Sequence, residues 1–191
     1  MTTEQKIVRS GLFFTLIAII IAGSFALSTH VASDSYAQSL VESYGSLSVF
    51  ILSFIAGLNL FLPVPAATFV PIFTAGGMSL SSIIILLIAG TMTANLLAFA
   101  IGHYGYALTR AQHSQLKEKV VAFYREHKEY LPYFIFCFTA FIPVPDEVFL
   151  IPLALIGVKL RIIIVPLFLG TIVYQTLAAL GFDNIFKLLN L

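Results

Sequence analysis

Apolar residues fall in long blocks separated by short polar punctuation. A polar stretch, 1–10, carries Lys6 and Arg9 and is followed by an apolar run from Leu12 to Leu27. Residues 29–44 form a polar connection with Asp34 and Glu42 and without Lys or Arg. The next apolar run starts near Leu47, passes through Phe61-Leu62-Pro63-Val64-Pro65 and ends at Gly76-Gly77. After the turn Ser79-Leu80-Ser81-Ser82, Ile83 to Leu108 is apolar again. A run from Leu131 to Gly157 contains Phe141-Ile142-Pro143-Val144-Pro145, and Ile162 to Phe186 is the last block. About 20 consecutive apolar residues suffice for a helical span, so several of these blocks can cross a bilayer.

The two proline stretches interrupt their blocks. Proline removes a backbone donor and clashes with the preceding turn, and the residue before it is pushed to extended geometry. Two prolines at alternate positions therefore stop one helix and start another. In hydrocarbon, irregular backbone survives only inside protein or beside water. Each segment is either a kinked span or a hairpin of two half-helices with its tip at depth.

The similarity extends beyond the prolines. A shift of 80, from Phe61 to Phe141, also aligns Phe69 with Phe149, Gly77 with Gly157, Leu80 with Leu160 and Gly90-Thr91 with Gly170-Thr171. Asn95 meets Gln175 and Ala98 meets Ala178. The repeated unit is a proline-broken segment, a glycine turn and a long span. In the first span Gly90, Ala94, Ala98 and Gly102 form a small-residue ridge that lets another helix approach closely. Thr91, Asn95 and Gly102 form a polar stripe at helical spacing.

Between the repeats, 109–130 holds Arg110, Lys117, Lys119, Arg125 and Lys128 among acids. Leu116, Val120, Phe123 and Tyr124 recur there at helical spacing, which predicts an amphipathic helix on the membrane surface. Lys and Arg in short loops favour the cytoplasmic side. Placing Lys6/Arg9, the connector and Lys159/Arg161 all inside requires both proline segments to return to the face they entered, from opposite sides. Lys187 is the one dissenting charge.

The expected fold is an all-α integral membrane protein with an inverted repeat. It comprises a first transmembrane helix (12–28), re-entrant hairpin 1 (47–77), a transmembrane helix (83–108), a cytoplasmic amphipathic connector (109–130), re-entrant hairpin 2 (131–157) and a last transmembrane helix (162–186). The alternative for 12–28 is a cleaved signal peptide, with Ala26-Leu27-Ser28 as a weak cleavage site. The expected location is the cell membrane, with the N-terminus and connector cytoplasmic.

Composition agrees with this reading. The chain has 191 residues, is 59% hydrophobic and only 10% charged, with a mean hydropathy of +0.99; a soluble domain is about 25% charged. A net charge of +1 makes no case for nucleic acid. Cys137 is the single cysteine, which excludes an internal disulfide and a cysteine metal cluster; it reads as a small buried hydrophobe. No Gly-x-Ser-x-Gly, His-Glu-x-x-His or P-loop pattern occurs, so no enzyme, metal or cofactor is expected.

With its Pro-x-Pro tips, basic connector and glycine-rich exits, the chain resembles the DedA/VTT (SNARE-associated) membrane proteins over about residues 45–182. The resemblance implies movement of polar lipids between leaflets, often coupled to protons. The family commonly carries acids beside the first prolines; here those places hold Leu58, Asn59 and Ala66-Ala67. Its second hairpin commonly carries arginines. Here Phe138-Thr139-Ala140-Phe141-Ile142-Pro143-Val144-Pro145-Asp146 has none, and Asp146-Glu147 follow instead. The missing arginines favour a zwitterionic or amine-bearing headgroup over a bare phosphate.

Asp146 and Glu147 read as the only acids deep in an apolar run, and an intramembrane ionisable residue suggests a functional site. They follow Pro145, a favourable first position for a half-helix. They either cap that helix start or bind a proton or cation, and the two roles are compatible. Asn59, Asn95, Tyr174 and Gln175 are candidates for a polar route, with helix–helix hydrogen bonding as the alternative for the span residues. Lys159 and Arg161 either set topology or bind lipid phosphate. His103 reads as interfacial. The leading expectation is a lipid translocase or scramblase whose tips at Pro63, Pro65, Pro143 and Pro145 line a headgroup path. The alternatives are an ion-coupled small-solute transporter or channel, and a non-transporting scaffold. Expected partners are membrane lipids and protons or a cation, with a homodimer left open.

Overall fold

The computed structural model describes residues 33–58, 65–109, 129–142 and 145–188, together with Thr15, Ile19, Ala22, Gly23, Ala26, Thr29, His30 and Glu126; the side chains of 106–109 and 186 are excepted. Most of the first helix 12–28 and of the connector 109–130 lies outside the described residues, as do Asn59, Pro63 and Pro143. The described residues are helical, with no strand: α1 (Ser35–Gly57), a 3-10 turn (Ala66–Phe69), α2 (Val70–Ala75), α3 (Leu80–Thr109), α4 (Leu131–Phe141), α5 (Glu147–Leu155) and α6 (Leu160–Leu188). Among the described residues, three helices are long and apolar enough to cross a membrane: Ser35–Gly57, Leu80–Gly105 and Leu160–Ile185.

Helix α1 begins well before its apolar run, inside the stretch that reads as a polar connection. Asp34 is the reason. Its Oδ1 accepts from the Tyr36 N–H at 2.8 Å and the Ala37 N–H at 3.4 Å, satisfying donors that a helix start leaves open. The helix then runs 23 residues, about 34 Å at the usual rise.

One local motif occurs twice. Gly77 and Gly157 both have positive φ, 88° and 85°, a conformation that glycine adopts without a Cβ penalty. At the first turn Gly77 N–H donates to Thr74 O and Met78 N–H to Phe73 O, each at 3.0 Å. At the second, Gly157 N–H donates to Ala154 O at 3.0 Å and Val158 N–H to Leu153 O at 3.1 Å. This closure caps the short helix and reverses the chain into the long one.

Packing repeats as well. Helix α1 runs parallel to the first half of α3. Gly76 lies against Val41, Gly90 against Phe50 and Ser53, and Gly57 against Thr91 and Ala94. A Cβ on Gly90 would meet Phe50 O at 2.6 Å and Phe54 N at 2.9 Å. The Ser53 hydroxyl is shared between Phe50 O (2.9 Å) and Leu86 O (3.3 Å). In the second unit a Cβ on Gly170 would meet Thr139 Cβ at 2.8 Å and Phe136 O at 3.0 Å, so α4 lies as close to α6. Helix α5 follows the second half of α3, with Ile151 and Ala154 against Gly102 and Leu155 against Gly105. The small-residue ridge of α3 thus receives α1 at one end and α5 at the other.

Two apolar cores result. One joins Val49, Ala66, Ala67, Val70, Phe73, Ile83, Leu87 and Ala179. The other joins Met92, Phe99, Ile135, Phe149, Leu150, Ala154, Val158, Ile163 and Leu167. Ile83 and Ile163, Leu87 and Leu167, and Val70 and Leu150 are all buried at equivalent positions. The first core joins α1, the 3-10 turn, α2, the first half of α3 and Ala179 of α6, and the second joins α4, α5, the first half of α6 and Met92 and Phe99 of α3.

Two residues differ from expectation. Cys137 is exposed rather than buried, because α4 turns Ile135 and Thr139 inward and the residue between them points away. Asp183 is a third acid within an apolar helix. It is only 3% exposed, and its Oδ2 accepts from Lys187 Nζ at 2.7 Å. The i,i+4 spacing was the sequence signal for this pair. Lys187 therefore carries its own counter-charge.

Candidate functional site

The chemistry gathers at the midpoint of α3. A 30-residue helix is about 45 Å long, so Asn95 lies about 22 Å from either end and Thr91 one turn nearer the start. The break after α1 reaches this level through Gly57, which packs on Thr91 and Ala94. The break between α4 and α5 reaches it through Asp146. Asn95 Nδ2 donates to Asp146 Oδ2 at 2.9 Å, and Thr139 Oγ1 donates to Asp146 Oδ1 at 3.2 Å. One carboxylate thus ties α3, α4 and the start of α5 together.

This geometry corrects the capping role weighed for Asp146. Its side chain makes no hydrogen bond to the α5 start. Its backbone carbonyl accepts from Phe149 and Leu150 N–H at 3.1 and 2.9 Å, while the carboxylate turns away to Asn95 and Thr139. Asp146 has αR dihedrals, φ −62° and ψ −24°, whereas capping side chains project from extended backbone.

Glu147 behaves differently. It is only 8% exposed, and neither carboxylate oxygen has a hydrogen-bond partner. A polar group buried without a partner is costly, and one beside a second carboxylate more so.

One turn before Asn95, Gln175 Nε2 donates to Thr91 Oγ1 at 2.8 Å. Its Oε1 is buried without a partner. Thr91 and Asn95 are one turn apart on one face of α3, so α6 and α5 reach that helix one turn apart. Tyr174 is half-buried on α6 and lies within electrostatic reach of Asp146.

The other candidates separate from this cluster. Lys159 and Arg161 are exposed beside the Gly157 turn, beyond the far end of α5. Pro65 leads into the 3-10 turn with φ −58° and ψ 131°, and Pro145 O accepts from Val148 N–H at 3.2 Å. His103 is exposed and stacks on Phe99, with ring centroids 6.3 Å apart. Among the described residues, no group of three or more His, Cys, Asp or Glu could hold a metal ion. Thr139 is the participant that sequence reading passed over; its only signal was a hydroxyl inside an aromatic-rich apolar helix.

The repeat shift sets Ala66 and Ala67 opposite Asp146 and Glu147. Both alanines are buried in the first core. The acids therefore occupy backbone positions that the other unit fills with the smallest apolar side chain. The two segments share the glycine turn that follows them and divide the chemistry unequally.

Comparison with family models, curated proteins and solved structures returns no match for this chain.

Proposed function

We propose that this chain is a multi-pass membrane protein built as an inverted repeat of two re-entrant hairpins, and that it moves a polar lipid headgroup between leaflets. The observation that carries the proposal is the position of Asp146. Its carboxylate is held by two neutral donors at the midpoint of α3, where a bilayer opposes a headgroup most strongly. A charged side chain at that depth costs about 2.5–3.5 kcal/mol on insertion scales, a cost that a purely structural contact between helices does not require.

Further features support the reading. Ser79 and Lys159 sit at opposite ends of α3, as oppositely inserted hairpins require. Tyr36 and Tyr44 are exposed near the start of α1, and Tyr104, Tyr130 and Tyr133 are exposed near the end of α3 and the start of α4. Tyrosine favours both membrane–water interfaces. Lys187, the one basic residue on the opposing side, is paired with Asp183, and the orientation with a cytoplasmic N-terminus and connector rests on the larger number of Lys and Arg in the inner segments. The resemblance to DedA/VTT proteins belongs to the same reading.

The test is leaflet exchange of acyl-labelled phospholipids in liposomes containing the purified protein. Exchange faster than in protein-free liposomes, and reduced by Asp146→Ala, is the expected result. Small-solute flux without lipid exchange would instead identify a solute transporter, and the absence of both would leave a scaffold.

A further inference from the structure

Helices α3 and α6 meet at Thr91 and Gln175. Leu87 and Ala179 share the first core, and Phe99 and Leu167 share the second. Each step of four residues along α3 is therefore met by a step of four back along α6, and the two helices cross antiparallel. In that register the residue opposite Asn95 is Thr171, and both are only 1% exposed. The 80-residue shift turns one pair into the other, Thr91 with Gln175 into Thr171 with Asn95. Only the pair with Gln175 is bonded. Asn95 gives its amide to Asp146 instead, at 2.9 Å. Thr171 Oγ1 donates to Leu167 O at 2.9 Å, and among the described residues no side chain donates to it. A hydroxyl accepts through two lone pairs, so Thr171 keeps room for an amide donor.

We infer that Asn95 is a two-position catch: its amide holds Asp146 while the second proline break stands against α3, and turns to Thr171 when that carboxylate moves away. Gln175 on Thr91 is the same bond already made in the other half of the crossing. A carboxylate accepts about twice as strongly as a neutral oxygen, so Asp146 holds the amide while it is in reach. A buried donor left without any acceptor is costly, and Thr171 removes that cost when Asp146 leaves. The Thr139 bond to Asp146 joins the two sides of one break and can travel with it. At the first break Ala66 and Ala67 are packed in an apolar core and offer Gln175 no side-chain acceptor. The catch therefore makes the second break the movable one. It concerns the helix crossing alone and does not depend on what the protein transports.

The test follows the Asn95 side-chain amide by NMR in the full-length protein, labelled with nitrogen-15 at asparagine side chains and held in detergent. The signal is identified by its loss in Asn95→Leu. In wild type it should barely shift on Thr171→Val, because the amide faces Asp146. Asp146→Ala should move it, and Thr171→Val in that background should move it again. Thr171→Ser, which keeps the hydroxyl, should leave it in place. Melting gives a second reading: Thr171→Val should lower the midpoint of the Asp146→Ala chain by about 2–4 °C more than that of wild type, the effect of one hydrogen bond. Asp146→Asn keeps the shape of the site with a weaker acceptor and serves the same comparison if the alanine variant does not fold. An Asn95 signal indifferent to Thr171→Val once Asp146 is replaced, or equally sensitive to it in wild type, would overturn the inference. Equal melting losses in the two backgrounds would do the same.

Discussion

Replacing Gly90 with alanine should destabilise the protein although alanine is the better helix former. The methyl group would point into α1, meeting Phe50 O at 2.6 Å and Phe54 N at 2.9 Å as well as the Ser53 hydroxyl. Two of those atoms are backbone of a packed helix and cannot rotate aside. Overpacking of this kind costs about 1–3 kcal/mol, and backbone contacts put Gly90 at the upper end. Alanine in place of a helical glycine returns about 1 kcal/mol, leaving a net loss of about 2 kcal/mol. For a chain of this size that lowers the melting temperature by about 4–8 °C. Gly181 is the internal control. It is exposed in α6 and has nothing within 4 Å of a Cβ, so Gly181→Ala should raise stability by about 0.5–1 kcal/mol. Melting in detergent, followed by far-UV circular dichroism, compares both with wild type. A Gly90→Ala protein as stable as Gly181→Ala would refute the close α1–α3 packing.

Other expectations follow from the same contacts. Asn95→Leu leaves Asp146 Oδ2 short of a donor and should cost about 1–3 kcal/mol, whereas Asn95→Leu with Asp146→Leu should recover part of that loss in the same melting assay. Gly77→Ala and Gly157→Ala each force a Cβ into left-handed backbone, a cost of about 1–2 kcal/mol; similar losses from the two would support equivalent turns. Asp34→Ala removes the α1 cap and should cost about 1 kcal/mol, with hydrogen exchange rising first over the opening turn of α1. Gly170→Ala pushes on Thr139, and should slow lipid exchange more than it lowers stability when both are measured on one preparation.

Much of the architecture was legible because its signals are periodic or punctuating. The Pro-x-Pro stretches marked the breaks, Gly77 and Gly157 marked the turns, and the Gly90–Gly102 ridge marked close helix contacts. The early start of α1 was less visible, because a capping side chain at Asp34 outweighs the polarity of the following turn. Asp183 was hidden by its apolar neighbours, although Lys187 four residues on was the clue. At the site, Asp146 and Glu147 stood out as charges in apolar surroundings, but their different duties did not. That division depends on which elements arrive beside them: Asn95 lies 51 residues away in sequence and Thr139 seven. Neither spacing belongs to a local motif. Cys137 illustrates the opposite limit, since hydrophobic character alone does not tell a core face from an outer one when the surroundings are lipid.

The central claim is that the two hairpins enter from opposite faces. It is tested most directly by single cysteines at Ser79 and Lys159, both exposed just after the Gly77 and Gly157 turns, in a chain carrying Cys137→Ala. Intact cells and inverted membrane vesicles are treated with a membrane-impermeant maleimide. The account predicts that Ser79→Cys labels only from outside and Lys159→Cys only from the cytoplasmic side. Labelling of both from the same side would contradict it.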